Sequence, residues 1–121
     1  MTASSTMKLT GILPWFGGKR TMAPAIVNQL SSHTYYFETC AGSMAVLFAK
    51  EPSEHETVVD LHGALINLAW IVQEEKLAVA LFNRLQRVLY ADEIYAKSKE
   101  WLWGNERVSQ TRDPLDFAYH Y

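Results

Sequence analysis

The residues best placed for binding chemistry are Asp60 and the small turn that follows Glu38. Glu38 closes the aromatic run Tyr35-Tyr36-Phe37, and Cys40, Ala41, Gly42 and Ser43 come next. Asp60 closes a second apolar run, Thr57-Val58-Val59. A turn of small residues after a first strand brings backbone N–H groups close to a ligand. An acid about twenty residues further on, at the tip of a second strand, can accept hydrogen bonds from ribose hydroxyls. The interval from Glu38 to Asp60 fits that distance.

The elements that must position these groups follow from periodicity. Tyr35 to Glu38 is strand-prone, and Met44, Leu47 and Phe48 recur at helical spacing after the turn. A polar break at Glu51–Glu56 precedes the short strand Thr57–Val59. The spacing predicts a βαβ unit. The same geometry serves dinucleotides and S-adenosylmethionine, since both carry an adenosine whose ribose needs an acceptor. The turn holds one glycine where the dinucleotide fingerprint has three. At this point a purely structural βαβ piece remains open as the alternative.

Upstream, Pro14-Trp15-Phe16-Gly17-Gly18-Lys19-Arg20 is an apolar segment stopped by a glycine pair that carries a lysine. Gly-Gly-Lys most often means a turn with a solvent-facing lysine. A phosphate-binding P-loop is excluded, because Leu13 stands where its first glycine belongs and Arg20 where Ser or Thr must follow the lysine. Thr21 is then expected to cap a helix with Pro24 in its first turn, a buried stripe of Met22, Ile26 and Leu30, and an end at Ser31-Ser32.

At 121 residues and 49% hydrophobic content the chain is at most one domain in size, with an ordinary globular composition. A net charge of -2 announces neither a nucleic-acid nor an anionic-membrane surface over the chain as a whole. Cys40 is the only cysteine, which excludes an internal disulfide and fits a reducing compartment. Met1–Thr6 shows no signal pattern, and no apolar run reaches the length of a membrane span, so a soluble, cytoplasmic protein is expected. His33, His55, His62 and His120 lack ligand spacing, and no metal is expected.

Met1 to Leu9 reads as a loose lead-in. Beyond the βαβ unit, Gly63 opens a helix with Leu65, Leu68, Ala69 and Val72 on one face and Ile66 and Trp70 on another, apolar on most sides. Leu77, Leu81, Leu85 and Val88 predict a second helix, and Ile94, Tyr95, Trp101 and Leu102 a third, closed by Gly104-Asn105. The periodic positions of these aromatics predict packing rather than base stacking. Val108–Arg112 is unpatterned. Asp113-Pro114-Leu115-Asp116 is a strong helix start, an N-cap acid with Pro at the first helical position. A helix cut after about two turns is too short to close an independent core.

With Pro-Trp-Phe-Gly-Gly-Lys, Phe-Glu-Thr-Cys-Ala-Gly-Ser and Val-Val-Asp-Leu-His-Gly-Ala-Leu-Ile-Asn-Leu in this order and spacing, the chain resembles the N-terminal part of the Dam-type (D12 class) adenine-specific DNA methyltransferases, closest to their phage and prophage branch. The resemblance covers Leu13 to Gln73 well and continues more loosely to Tyr121. It implies an incomplete Rossmann-like α/β fold, with a cofactor-binding part over residues 1–75 and the start of a helical target-recognition region over 76–121. It also implies S-adenosylmethionine as cofactor. Trp15 and Lys19 would contact it, Lys19 at the methionine carboxylate, with Gly17 and Gly18 letting the backbone approach. Glu38 and Gly42 would shape the turn and Asp60 would hold the ribose. The chain departs from the family pattern at Thr39, Cys40, Ser43, Met44 and Val59.

Members of that family flip an adenine out of the duplex and hold it with an Asp-Pro-Pro-Tyr tetrapeptide, whose Asp and backbone carbonyl accept hydrogen bonds from the amino group. No such tetrapeptide occurs here, and Asp113-Pro114-Leu115 lacks its second Pro and aromatic. The expectation is therefore an N-terminal cofactor-binding fragment of a DNA adenine-N6 methyltransferase. It would be inactive alone and prone to self-association, with double-stranded DNA as the partner of the full enzyme. The alternative from another class is a non-catalytic module that associates with an intact methyltransferase or a DNA-bound partner.

Overall fold

The computed structural model describes residues 8–105 and 113–121. Most of the lead-in expected over Met1–Leu9 and the whole of the unpatterned stretch Val108–Arg112 lie outside the described residues. The chain divides into two compact units, Met1–His62 and Gly63–Tyr121.

In the first unit, β1 (Tyr35–Thr39) pairs in parallel with β2 (His55–Val59), and α2 (Ala45–Ala49) lies between them in the chain. This is the βαβ unit expected. β2 begins two residues before Thr57, inside the stretch read as a polar break. The ladder sets that start: Tyr35 pairs with His55 and Tyr36 with Glu56, and the Tyr35 and His55 rings stack at 4.7 Å. Glu56 is tolerated there because the buried Lys50 ammonium bonds its carboxylate.

α1 (Ala23–Val27) packs on α2 through Ala23, Ala45 and Val46, with Ile26, Val27, Tyr36 and Ala49 around them. The helix is shifted by one residue from the expected phase. Thr21 is not its cap, and Met22 and Leu30 face solvent. The backbone explains why. Lys19 O already accepts from the N–H groups of Met22 and Ala23, and Pro24 has no N–H to offer, so a Thr21 hydroxyl would have nothing to cap. The helix also stops at Val27, short of Ser31-Ser32.

The second unit holds α3 (Gly63–Gln73), α4 (Glu75–Leu85), α5 (Asp92–Asn105) and α6 (Pro114–His120). Ile71, Leu81 and Ala118 form its core, with Leu68, Leu77, Leu115 and Tyr119 packed around them. Within this unit α4 and α6 pack on α3. Trp70 and Val72 are exposed, contrary to the helix sandwiched between other elements that its composition suggests. Among the α5 aromatics the packing expectation holds for Trp101, stacked on His120 at 4.4 Å, and fails for Tyr95, which is 68% exposed.

α6 starts where the sequence announces it, with Leu115 N–H donating to Asp113 Oδ1 at 2.9 Å. Its shortness is offset by tertiary contacts rather than length. It packs on α3, α4 and α5; Asn67 donates to Pro114 O at 2.9 Å, and the Arg84 guanidinium pairs with Asp116 at 2.6 Å while lying 4.2 Å from the Tyr119 ring. Asp113→Ala is expected to remove the cap and destabilise this unit by about 1 kcal/mol. Urea titration of wild type and variant measures it. A midpoint unchanged at constant slope would show that the cap contributes nothing.

Candidate functional site

Two segments of the first unit meet at the ends of β1 and β2. One is the loop Gly11–Lys19, the other the turn Cys40–Met44. Gly18 N–H donates to Trp15 O at 3.1 Å, closing a four-residue turn with Gly17 third at φ +72°, a position that turns of this kind reserve for glycine. A Cβ on Gly17 would meet nothing within 4 Å, so its backbone angle, not crowding, requires glycine. Gly18 is crowded: a Cβ there would lie 3.0 Å from Trp15 O and 3.4 Å from Ser43 Oγ. Ile12 N–H donates to Ser43 O at 3.0 Å, joining the loop to the turn.

The turn is left-handed at three of its residues, Cys40 at φ +50°, Gly42 at +52° and Met44 at +60°. Glycine adopts this angle without penalty, whereas for Cys40 and Met44 it costs about 1–2 kcal/mol each. Hydrogen bonds offset that cost. Lys19 Nζ donates to Cys40 O at 2.6 Å, Met44 N–H to Ala41 O at 2.8 Å, and Ala41 N–H to Val59 O at 3.1 Å.

Asp60, just past the tip of β2, clamps the turn. Oδ2 accepts from Gly42 N–H and Oδ1 from His62 N–H, both at 2.8 Å. These two backbone bonds, His62 first and Gly42 second, hold the carboxyl below the usual aspartate range. A carboxylate has about four acceptor positions. The half-exposed Asp60 thus keeps acceptor capacity on both oxygens after the clamp is made.

Because its folded-state value is depressed, Asp60 contributes stability that is fully present above the ordinary aspartate value. That contribution is lost as pH falls through the depressed one. The amide signals of Gly42 and His62 are accordingly expected to hold steady down to about pH 4 and to move together below it. Movement centred near neutral pH, or of one amide without the other, would contradict the shared clamp.

Glu38 is buried at 5% exposure and faces three donors. Oε2 accepts from Tyr36 OH at 2.9 Å and from Leu47 N–H at 3.1 Å, and Oε1 lies 3.5 Å from Lys19 Nζ. Burial first, and then the bond to Glu38, push the Tyr36 phenol well above the usual range, so Tyr36 remains a donor. Lys19 spends its ammonium on Cys40 O and Glu38, bracing the turn rather than pointing freely to solvent. The Trp15 indole lies on Gly42, where a Cβ would sit 3.1 Å from Cδ1, and its ring meets His62 edge-on at 5.1 Å.

The structure thus gathers Trp15, Gly18, Lys19, Glu38, Gly42 and Asp60 around one turn, with Gly17 shaping the loop beside it. Sequence reading missed Tyr36, Ser43, Leu47 and His62. Tyr36 was findable, because residues i and i+2 of a strand share a face and Glu38 is two residues on. Ser43 is buried in the turn, where both Gly11 and Gly18 approach it closely. Leu47 acts through its amide, and no side-chain pattern announces that.

No curated protein and no solved structure matches the chain. The family model of the D12 class N6 adenine-specific DNA methyltransferases matches residues 15–119.

Proposed function

The chain belongs to the D12 class N6 adenine-specific DNA methyltransferases, and from that membership we propose that its first unit is the S-adenosylmethionine-binding part of such an enzyme. The observation that carries this reading is Asp60, fixed at the end of β2 by two backbone bonds with acceptor capacity left over, next to a turn that only glycine at position 42 lets Trp15 approach. The residues fit the cofactor. Asp60 offers acceptors for ribose hydroxyls, Trp15 an aromatic wall, and Lys19 a third ammonium hydrogen for the methionine carboxylate. When bound, S-adenosylmethionine supplies an electrophilic methyl group. Glu38 holds Lys19 and the start of α2 in place, and Gly17 and Gly18 keep the loop close to the turn.

In this reading β1–α2–β2 is one βαβ unit of a larger Rossmann-like sheet. The first unit serves the cofactor, and the second, α3 included, begins a helical region that faces double-stranded DNA in the full enzyme. The groups that hold the flipped adenine are absent from these 121 residues. The chain by itself therefore transfers no methyl group. Exposed Tyr35, Phe37 and Leu61 around the sheet favour self-association.

The test is a titration of the 121-residue chain with S-adenosylhomocysteine, followed by the amide signals of Gly42 and His62, alongside a radiolabel transfer assay on adenine-containing duplex DNA. Perturbation of both amides with no label in DNA is expected. If neither amide responds to millimolar ligand, the cofactor reading fails. Label incorporated at adenine would overturn the claim of inactivity, and a monodisperse monomer in sedimentation would overturn the self-association.

A further inference from the structure

His62 carries two contacts that converge on the same site from different atoms. Its backbone N–H donates to Asp60 Oδ1 at 2.8 Å, and its ring stands edge-on to the Trp15 indole, 5.1 Å between centroids and 83° between planes. Trp15 is otherwise fixed on one side by Gly42, whose N–H is the second donor to Asp60. The indole and the carboxylate are therefore each held by the same two residues, 42 and 62. Both Trp15 and His62 are half-buried, so water competes for the ring contact, and the indole would gain rotamer freedom if the contact were lost.

We propose that His62 is a positioning residue of the cofactor site, whose ring fixes the orientation of the Trp15 indole relative to the Asp60 carboxylate. Trp15 sits on a loop, and loops place side chains less precisely than strands do. A side chain anchored immediately beyond β2 and touching the indole transfers the precision of the strand to the loop. The inference rests on the cofactor reading above for its consequence, since a fixed indole matters to binding only if the ligand lies against it. The contact itself is independent of that reading.

The experiment uses the 121-residue chain with His62→Ala and His62→Phe, and follows the indole N–H signals of its four tryptophans, Trp15 being assigned by Trp15→Phe. The alanine variant keeps the backbone bond to Asp60 and loses only the ring. It is expected to shift or broaden the Trp15 signal, leave the signals of Trp70, Trp101 and Trp103 in place, and weaken S-adenosylhomocysteine by about two- to tenfold, the worth of one aromatic pair. Phenylalanine restores the edge contact and is expected to return both the signal and the affinity to within about twofold of wild type.

A Trp15 signal unmoved by His62→Ala overturns the proposal. So does a moved signal with unchanged affinity, which would leave His62 a packing residue without a positioning role. A phenylalanine variant no better than alanine also counts against it. Should the wild-type chain bind no S-adenosylhomocysteine, the cofactor reading falls and takes the consequence for binding with it. The indole signals then still decide whether His62 orients Trp15.

Discussion

Glu38→Ala is expected to destabilise the first unit by about 2–4 kcal/mol, the range for removing a buried acceptor that serves several donors, one of them charged. Glu38 is 5% exposed, so water cannot replace the lost oxygens at every donor. The Tyr36 hydroxyl and the Leu47 amide lose their acceptor, and the Lys19 ammonium loses its counter-charge while keeping its bond to Cys40 O. Leu47 lies in the first turn of α2, where backbone N–H groups have no partner within the helix, and Met44 supplies no side-chain cap. Glu38 thus caps α2 from the neighbouring strand. Glu38→Gln separates charge from shape. Its carbonyl can still serve Tyr36 and Leu47 while its amide turns toward Lys19, so a smaller loss of about 1–2 kcal/mol is expected. Chemical denaturation of the three proteins, with amide exchange at Leu47, is the measurement. An alanine variant with wild-type stability and an unaltered Leu47 exchange rate would show that Glu38 is a spectator.

Tyr36, Glu38, Lys50 and Glu56 also show why the strands were legible only in outline. The run Tyr35–Thr39 declares itself by aromatic, strand-prone side chains. The first two residues of β2 do not, because His55 and Glu56 are polar and their place in the strand is fixed by pairing with Tyr35 and Tyr36. Strand preference depends on the neighbour as much as on the residue. Lys50 closes the local charge by bonding Glu56 and lying 4.5 Å from the Tyr36 ring, a contact between residues distant enough in sequence to leave no pattern.

The turn divides in the same way. Gly42 was legible as one of the turn's small residues, and its left-handed angle and contact with Trp15 show why it must be glycine. Cys40 and Met44 were not, since nothing in a cysteine or methionine predicts a positive φ, and only the hydrogen bonds around them sustain it. In α1 the phase failed by one residue because a backbone carbonyl, that of Lys19, did the capping assigned to a threonine side chain. Asp113, by contrast, caps α6 as read, its Oδ1 accepting from Leu115 N–H. Side-chain caps and apolar periodicity were visible in the sequence. Backbone acceptors and amide donors were not.

Asp60 is the residue on which geometry and proposed function meet, and its replacement tests both. Asp60→Ala is expected to release Gly42 and His62, destabilising the turn by about 2 kcal/mol. It should also weaken S-adenosylmethionine or S-adenosylhomocysteine by about 1.5–3 kcal/mol, roughly 10- to 150-fold, as the charge-assisted acceptor of the ribose is lost. Asp60→Asn is not a mild version of the same change. Its amide nitrogen must face either Gly42 N–H or His62 N–H, donor against donor, so one clamp bond is lost whichever way the group turns. Asparagine is therefore expected to fall near alanine in both stability and affinity. This contrasts with Glu38, where the amide variant can keep the bonds to Tyr36 and Leu47. Calorimetry reads the affinities, and amide exchange at Gly42 and His62 reads the clamp. Unchanged affinity in both variants would remove the ribose assignment while leaving the clamp standing. Unchanged exchange at both amides would remove the clamp itself, and with it the argument that this carboxylate is fixed in place to receive a ligand.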